Sequence, residues 1–139
     1  MIGLKWTLWN CGGIRAQSQS TKNKLDFFAK EFNPKKFSIA AFVETHLKQS
    51  DPLPNRIKLY SNTYHIVNEP TPTNETHAGI LVLIHKDFEI TNTQAVQPGR
   101  VLCIEITHKT SKKNTILRLS MVYQAIKQIL KRFVAFALP

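Results

Sequence analysis

Polar and apolar positions in the first third of the chain predict a strand, a helix and a second strand. Residues 7–14 begin with large apolar side chains and end in a glycine turn, which is typical of a strand that runs into a tight turn. Apolar residues then recur at helical spacing, at Leu25, Phe28, Ala29 and Phe32. Residues 18–21 offer N-cap side chains for this helix, and Asn33-Pro34 ends it because proline has no backbone N–H to donate.

The next segments predict a sheet with a buried centre and several further strands. Residues 37–43 form a short and nearly continuous apolar run, typical of a strand that is covered on both faces. Four more strands are predicted at residues 64–67, 79–84, 101–107 and 115–123. The last of these alternates between apolar and polar positions. This order of elements favours a layered α/β or α+β domain.

The tail of the sequence carries a different pattern. Its apolar stripe consists of Ala125, Ile126, Ile129, Leu130 and Phe133. Basic residues lie opposite that stripe, so residues 124–139 are predicted to be an amphipathic helical tail, separate from residues 1–123. The last residues are apolar, and we expect such a segment to dock on another surface.

The charge balance narrows the class of partner. The sequence has 19 Lys and Arg against 9 Asp and Glu, which gives a net charge of +10 at pH 7. A positive field of this size favours nucleic acid or another polyanion. The sequence shows no secretory or membrane-spanning segment, and its two cysteines do not form a metal-binding pair. We therefore expect an intracellular protein, nuclear or cytoplasmic, that is neither secreted nor bound to a membrane.

Two polar residues follow directly on predicted strands. Asn10 precedes the glycine turn, and Glu44 follows the buried strand. If the two strands are neighbours, the amide oxygen and the carboxylate converge at one edge of a sheet, where layered α/β proteins collect ligand-binding groups. Oxygen ligands of this kind suit Mg²⁺. The alternative is a solvated glutamate and an asparagine that only shapes its turn.

Five segments in the same order resemble the endonuclease/exonuclease/phosphatase family. They are Trp9-Asn10-Cys11-Gly12-Gly13-Ile14, Ala41-Phe42-Val43-Glu44-Thr45-His46-Leu47, His77-Ala78-Gly79-Ile80-Leu81-Val82, Gly99-Arg100-Val101-Leu102 and Thr115 to Tyr123. The first two are similar above all to the AP-endonuclease-like domain of non-LTR (LINE-type) retrotransposons. The resemblance implies a four-layer α/β/β/α sandwich and Mg²⁺- or Mn²⁺-dependent nicking of DNA. It also implies a reverse transcriptase domain in the parent polyprotein.

The same resemblance assigns roles to three residues. Glu44 is implied as the direct metal ligand, and Asn10 as the residue that orients the metal and the scissile phosphate. Tyr123 is implied to hydrogen-bond the phosphate. Seven further residues are nucleic-acid-binding candidates from their charge and position: Arg15, His46, Lys48, Arg100, Lys109, Lys112 and Lys113.

The sequence also departs from the family. Gly12 and Met121 stand where the family often has Asp or Asn, and the resemblance ends after Tyr123. The later motifs Gly-Asp-Phe-Asn and Ser-Asp-His, which supply the groups that activate water and bind the phosphate, have no counterpart in these 139 residues. We therefore expect a C-terminally truncated and catalytically inactive endonuclease domain. Two alternatives stay open: a non-catalytic basic module that binds nucleic acid or a partner, and a relative that acts on a phosphorylated lipid or inositol.

Overall fold

Two four-stranded sheets form the framework of the molecule. The computed structural model describes residues 4–15, 18–32, 37–122 and 132–138. The first sheet has the order β1-β2-β4-β3, and the second has the order β5-β6-β7-β8. The strands are β1 (Trp6–Asn10), β2 (Ile39–Val43), β3 (Tyr64–Glu69), β4 (Ile80–His85), β5 (Phe88–Gln97), β6 (Val101–His108), β7 (Asn114–Val122) and β8 (Arg132–Leu138).

The first sheet is centred on the apolar run that the sequence predicted to be buried on both faces. β1 pairs with β2 in parallel, and β4 pairs antiparallel with β2 and with β3. All five residues of β2 are buried. Alternate residues of this strand face two different clusters, so that Ala40 and Phe42 face one cluster while Ile39, Ala41 and Val43 face the other. The prediction of a strand that is covered on both faces is therefore confirmed.

Helix α1 (Gln19–Glu31) covers the outer face of the first sheet. Its N-cap is Ser18, whose hydroxyl accepts a hydrogen bond from the Thr21 N–H at 3.2 Å. The Phe28 ring packs edge-on against Phe42 of β2 at a centroid distance of 4.5 Å and stacks on Trp9 of β1 at 5.7 Å. The predicted helical stripe is therefore part of the core. A short helix α2 (Asn55–Lys58) and a 3₁₀ turn (Leu59–Asn62) follow in a stretch where the sequence predicted no element.

The second sheet is an antiparallel meander packed against the inner face of the first. Alternate residues of β6 and β7 enter the core between the sheets: Leu102, Ile104, Ile106, Leu117 and Leu119. β5 was missed from the sequence because most of its residues are polar and exposed. The fold is thus α/β, with one helical layer and two sheets among the described residues, and the α/β sandwich prediction is confirmed.

The end of the chain differs from the predicted helix. Residues 132–138 form β8, which pairs antiparallel with β7, so the helical prediction is wrong for these residues. Apolar residues such as Val134 and Phe136 suit a strand as well as a helix, and β7 offers a free row of hydrogen-bonding groups. Residues 123–131, which include Tyr123, lie outside the described residues.

Candidate functional site

One end of the sandwich brings together the residues that the sequence singled out at strand ends. The parallel register pairs Asn10 with Val43, so Glu44 is the first residue past the strand that neighbours β1. Backbone hydrogen bonds continue this pairing beyond both strands. The Gly13 N–H donates to the Glu44 carbonyl oxygen at 2.8 Å, and the Ile14 N–H donates to the Thr45 carbonyl oxygen at 2.9 Å. We call this end, with the adjoining Gly79 and Gly99 turns, the Glu44 edge. The predicted adjacency of the two strands is confirmed.

The backbone at this edge adopts conformations that non-glycine residues rarely take. Glu44 has φ 55° and His46 has φ 59°, both in the left-handed region. Thr45 lies between them and is fully buried. A left-handed residue interrupts the alternation of a strand and costs of order 1–3 kcal/mol, which the surrounding structure must offset. Two such residues around one buried threonine are typical of a segment held in place for a binding role.

Two glycines make room for this strained segment. Gly79 has φ +104°, and a Cβ atom there would overlap the Thr45 hydroxyl oxygen. Gly13 has φ +93°, and a Cβ there would lie 2.6 Å from Nδ1 of His46. The Thr45 N–H and the His46 N–H in turn donate to the carbonyl oxygens of Gly79 and Ala78 at 3.2 and 2.9 Å. The segment 44–46 is therefore clamped between two glycine turns.

The two predicted metal ligands differ in exposure. Glu44 is 1% exposed, which excludes the alternative of a solvated glutamate, whereas Asn10 is exposed. The Asn10 Oδ1 accepts a hydrogen bond from the Gly12 N–H at 3.1 Å, so this asparagine does shape its turn. An amide oxygen has a second lone pair, which leaves it able to accept a further donor or bind a cation.

The oxygen atoms at this edge suit Mg²⁺ or Mn²⁺ in type, since both ions prefer carboxylate and carbonyl ligands and Mg²⁺ needs few of them from the protein. The side chains that could bind a metal ion here are few. Among the described residues, no group of three or more His, Cys, Asp or Glu side chains is placed to hold a metal ion. A cation here would therefore be held by Glu44, with Asn10 as a second ligand, and would take its remaining ligands from water and substrate.

Cys11 lies buried beneath the same turn. Its thiol contacts the Val43 and Glu44 carbonyl oxygens at 3.3 and 3.5 Å. Burial raises the pKa of the Cys11 thiol to about 12, against the opposing effects of the Gly13 N–H and of the Lys24 charge. The group therefore stays protonated at neutral pH and is a small packing residue.

A basic pocket of about 360 Å³ borders the strained segment on the side of α1. We define it by Gly13, Ser18, Lys24, His46, Lys48 and His77, which line it together with Arg15 and three hydroxyl residues. The rings of His46 and His77 meet edge to face at a centroid distance of 4.9 Å. Lys24 and His77 were not recognised from the sequence as site residues. Nothing in the sequence indicates their position, since a helix and a distant loop bring them there.

Lys24 also fixes the glycine turn. Its Nζ donates to the carbonyl oxygens of Gly12 and Gly13 at 3.1 and 3.0 Å. Arg15 is held in a similar way, because its guanidinium lies 2.7 Å from the Asp51 carboxylate. The Lys48 N–H and then the Arg15 guanidinium hold the pKa of Asp51 below its usual value. Part of the positive charge at this edge is thus engaged in building the site.

The seven basic candidates divide into two groups. Arg15, His46 and Lys48 line the basic pocket. Arg100 also lies at the Glu44 edge, but its guanidinium is bound to the Glu75 carboxylate at 2.6 Å. The β6–β7 turn carries the other three candidates, Lys109, Lys112 and Lys113. β6 has eight residues and therefore separates that turn, which we call the Lys109 edge, from the Glu44 edge by about 25 Å.

Comparison with known proteins supports the fold and little beyond it. No family model matches the sequence, and no curated protein matches it. Among solved structures the chain is similar to the AP endonuclease LMAP from Leishmania major, with a TM-score of 0.58 and 16% sequence identity. The match covers 86% of this chain and 40% of the Leishmania chain. At this identity the likeness establishes an AP-endonuclease-like fold and leaves substrate and activity open.

Proposed function

We propose that this chain supplies the metal-binding and DNA-binding half of a retrotransposon-type endonuclease domain that nicks DNA with Mg²⁺ or Mn²⁺. The observation that carries the proposal is the Glu44 edge. A buried carboxylate on strained backbone lies next to the end of the strand that carries Asn10, within an AP-endonuclease-like fold. Strain of this kind is concentrated at functional sites. The parent polyprotein would also carry a reverse transcriptase domain.

In this proposal Glu44 holds the divalent cation and Asn10 orients it. The bound cation supplies stabilisation of the charge on the phosphate and on the leaving oxygen. Glu44 is fixed for this role because its own carbonyl oxygen accepts the Gly13 N–H at 2.8 Å. Lys24 holds the glycine turn from the other side, so the ends of the two strands form one rigid unit. Tyr123 remains a proposed phosphate ligand from the resemblance alone.

The proposal includes the absence of cleavage by these 139 residues alone. They contain no counterpart of the Gly-Asp-Phe-Asn and Ser-Asp-His motifs, whose side chains activate the water and bind the phosphate. Groups of this kind each contribute about 10²–10⁴-fold to the rate. We therefore expect DNA binding without turnover unless those groups come from another segment or protein.

A non-catalytic nucleic-acid-binding module is the second candidate. It is favoured by the basic pocket, whose ten lining residues include no Asp or Glu. The two candidates differ in whether a divalent cation is coupled to Glu44. In the first, the cation changes the way the chain binds DNA and the change depends on Glu44. In the second, only salt concentration matters.

The test uses the full chain, labelled DNA and supercoiled plasmid. We expect Mn²⁺ at millimolar concentration to raise DNA affinity several-fold over EDTA at constant ionic strength, and Glu44→Gln to abolish that increase. Glu89→Gln, an exposed residue at the start of β5, is the matched control. No nicking of plasmid is expected from the chain alone. If Glu44→Gln leaves the Mn²⁺ effect unchanged, the metal role is refuted and the second candidate is supported. Nicking that disappears in Glu44→Ala would refute the proposed inactivity.

A further inference from the structure

Two cavities adjoin on the α1 side of the Glu44 edge and differ in character. The basic pocket has a volume of about 360 Å³, and the neighbouring cavity has a volume of about 570 Å³. Both are lined by Arg15 and Thr21, so they share a wall. We call the second cavity the apolar cleft and define it by Ile14, Leu25, Pro52, Pro54 and Leu59. Its volume lies within the range of about 300–1,000 Å³ that is usual for small-molecule sites.

The basic pocket has the chemistry of a phosphate site. Five of the ten residues that line it are Arg, Lys or His, and none of the ten is Asp or Glu. Ser18, Ser20 and Thr21 add hydroxyl groups from the start of α1, whose first turn contains no acidic residue. The positive end of the helix dipole therefore adds to the side-chain charges. Arg15 is paired with the Asp51 carboxylate, which offsets its charge, whereas Lys24 is held by two backbone carbonyl oxygens and keeps its charge in a fixed position.

The apolar cleft exposes apolar side-chain surface to water. Leu59 is 71% exposed, the largest exposed fraction among the large apolar side chains at the described positions. Ile14 and Leu25 form the buried floor, and two prolines form a stiff wall. Covering apolar surface gains about 25 cal/mol per Å², so a ligand group that covers these side chains would bind favourably. The other six of the eleven lining residues are polar or charged, and two of them, Asp26 and Arg56, form an ion pair at 2.5 Å. These six are Arg15, Thr21, Lys22, Asp26, Asn55 and Arg56.

We propose that the basic pocket and the apolar cleft together bind one nucleotide of a DNA strand whose base is unstacked, with the phosphate in the pocket and the base in the cleft. The choice of DNA as the polyanion rests on the proposed function. The site lies beside Glu44 and Asn10 and includes neither of them among its lining residues. It holds the strand next to the candidate metal site and selects for single-stranded or frayed DNA.

Selectivity follows from the cost of unstacking. A base inside a duplex must leave its stack and its partner before it can enter the cleft, which costs a few kcal/mol, whereas a single strand pays much less. Phosphate contacts alone would favour the duplex, because a duplex carries about twice the charge of a single strand per unit length. A preference for the single strand must therefore come from the base. The cleft therefore accounts for the preference for single-stranded over duplex DNA. The pocket accounts for the affinity that the two forms of DNA share.

The experiment measures binding of the full chain to a labelled oligothymidylate 12-mer and to a 12-base-pair duplex hairpin, in EDTA. We expect at least tenfold tighter binding to the single strand. Leu59→Ser should remove most of that preference and leave duplex affinity within twofold. Lys48→Met should weaken binding to both forms about fivefold, and Lys48→Arg should restore it. Phe27→Ser, which removes an exposed ring of α1 outside both cavities, is the control for Leu59, and Lys109→Met is the control for Lys48.

Equal affinity for the two forms of DNA would overturn the proposal, as would a Leu59→Ser variant that keeps the preference. Effects of Phe27→Ser or Lys109→Met as large as those of the site variants would also overturn it. Thymidine monophosphate, but not inorganic phosphate alone, should compete in a Leu59-dependent manner. Competition by both ligands with equal strength would reduce the site to a phosphate pocket and contradict the role of the cleft. Because EDTA is present throughout, a failure of the Glu44 metal role leaves these results unaffected.

Discussion

The two ends of the sandwich are both basic, yet only one has the features of a built site. The Lys109 edge carries three exposed lysines on a hairpin turn. One of them, Lys112, is left-handed with φ 60°, but no buried residue or close-fitting glycine accompanies it in this turn. At the Glu44 edge the basic pocket adjoins the segment that carries a buried carboxylate, and two left-handed residues are clamped between two glycine turns. Charge by itself therefore marks a surface that attracts polyanions. Strained backbone with close-fitting glycines marks the place where a specific geometry is maintained.

The two cysteines give the sharpest contrast in reactivity. The pKa of Cys11 is raised to about 12 by burial, and it lies beneath the Glu44 turn, whereas Cys103 is partly exposed on the outer face of β6. We expect Cys11 to react with iodoacetamide at pH 8.5 about 10³-fold more slowly than in the unfolded chain, because only the thiolate attacks. Mass spectrometry of each cysteine, with and without guanidinium, measures the two rates. Equal rates in the folded chain would show that the turn does not cover Cys11.

The same thiol gives a pH dependence of stability. Its folded pKa lies above its unfolded value, so the unfolded state loses the proton first as the pH rises from about 9. The free energy of unfolding should therefore fall between pH 9 and about pH 12. Cys11→Ala should remove part of that decline, and the rest comes from Tyr60 and Tyr64, because burial also raises the pKa of each phenol. Urea denaturation across this range, compared with Cys103→Ala, provides the measurement. An identical decline in both variants would contradict the assignment to Cys11.

Glycine-to-alanine substitutions should destabilise the clamped segment more than an ordinary left-handed turn. Gly79→Ala places a methyl group into the Thr45 hydroxyl at φ +104°, and we expect a loss of about 2–4 kcal/mol in the free energy of unfolding. Gly12→Ala has φ +56° and meets nothing nearer than Nζ of Lys24 at 3.9 Å. Its cost should be about 1–2 kcal/mol, from the left-handed backbone alone. Urea denaturation of both variants tests the difference, and equal losses would mean that Thr45 yields easily.

A smaller effect distinguishes the two ends in DNA binding. Lys48→Met removes one cation from the basic pocket and should lower the slope of log affinity against log salt by about 0.7–0.9. Lys112→Met at the Lys109 edge should leave the slope unchanged if DNA binds only at the Glu44 edge. Salt titrations of both variants with one oligonucleotide decide the matter. Equal changes would mean that DNA contacts both ends, which the separation of about 25 Å permits only for a long ligand.

Local sequence patterns were sufficient to predict the elements that have a clear hydrophobic periodicity. The β2 run and the α1 stripe were predicted because burial on both faces and helical spacing are visible in the sequence itself. β5 was missed because Thr91, Asn92 and Thr93 point to water along a strand held mainly by pairing with β6. The helical prediction for the tail rested on the apolar stripe from Ala125 to Phe133, most of which lies outside the described residues. Residues 132–138 suit a strand as well, and pairing with β7 makes them one.

The candidate site was predictable only where strand order determined it. Asn10 and Glu44 could be placed together because each follows a predicted strand and the strands are neighbours. The positions of His77 and Lys24 depend on how a loop and a helix pack, which no local pattern reveals. For the same reason the lysines at the Lys109 edge could not be separated from those near Glu44, since the sequence gives charge without location.

Binding of Mn²⁺ tests the central claim most directly, through paramagnetic broadening of amide NMR signals in the full chain. The account predicts strong broadening at residues 10–13 and 44–46, none at residues 109–113, and loss of the effect in Glu44→Gln. Asn10→Ala should weaken it, and Glu89→Gln should leave it intact. Broadening centred elsewhere, or persisting unchanged in Glu44→Gln, would contradict the assignment of the Glu44 edge as a metal site.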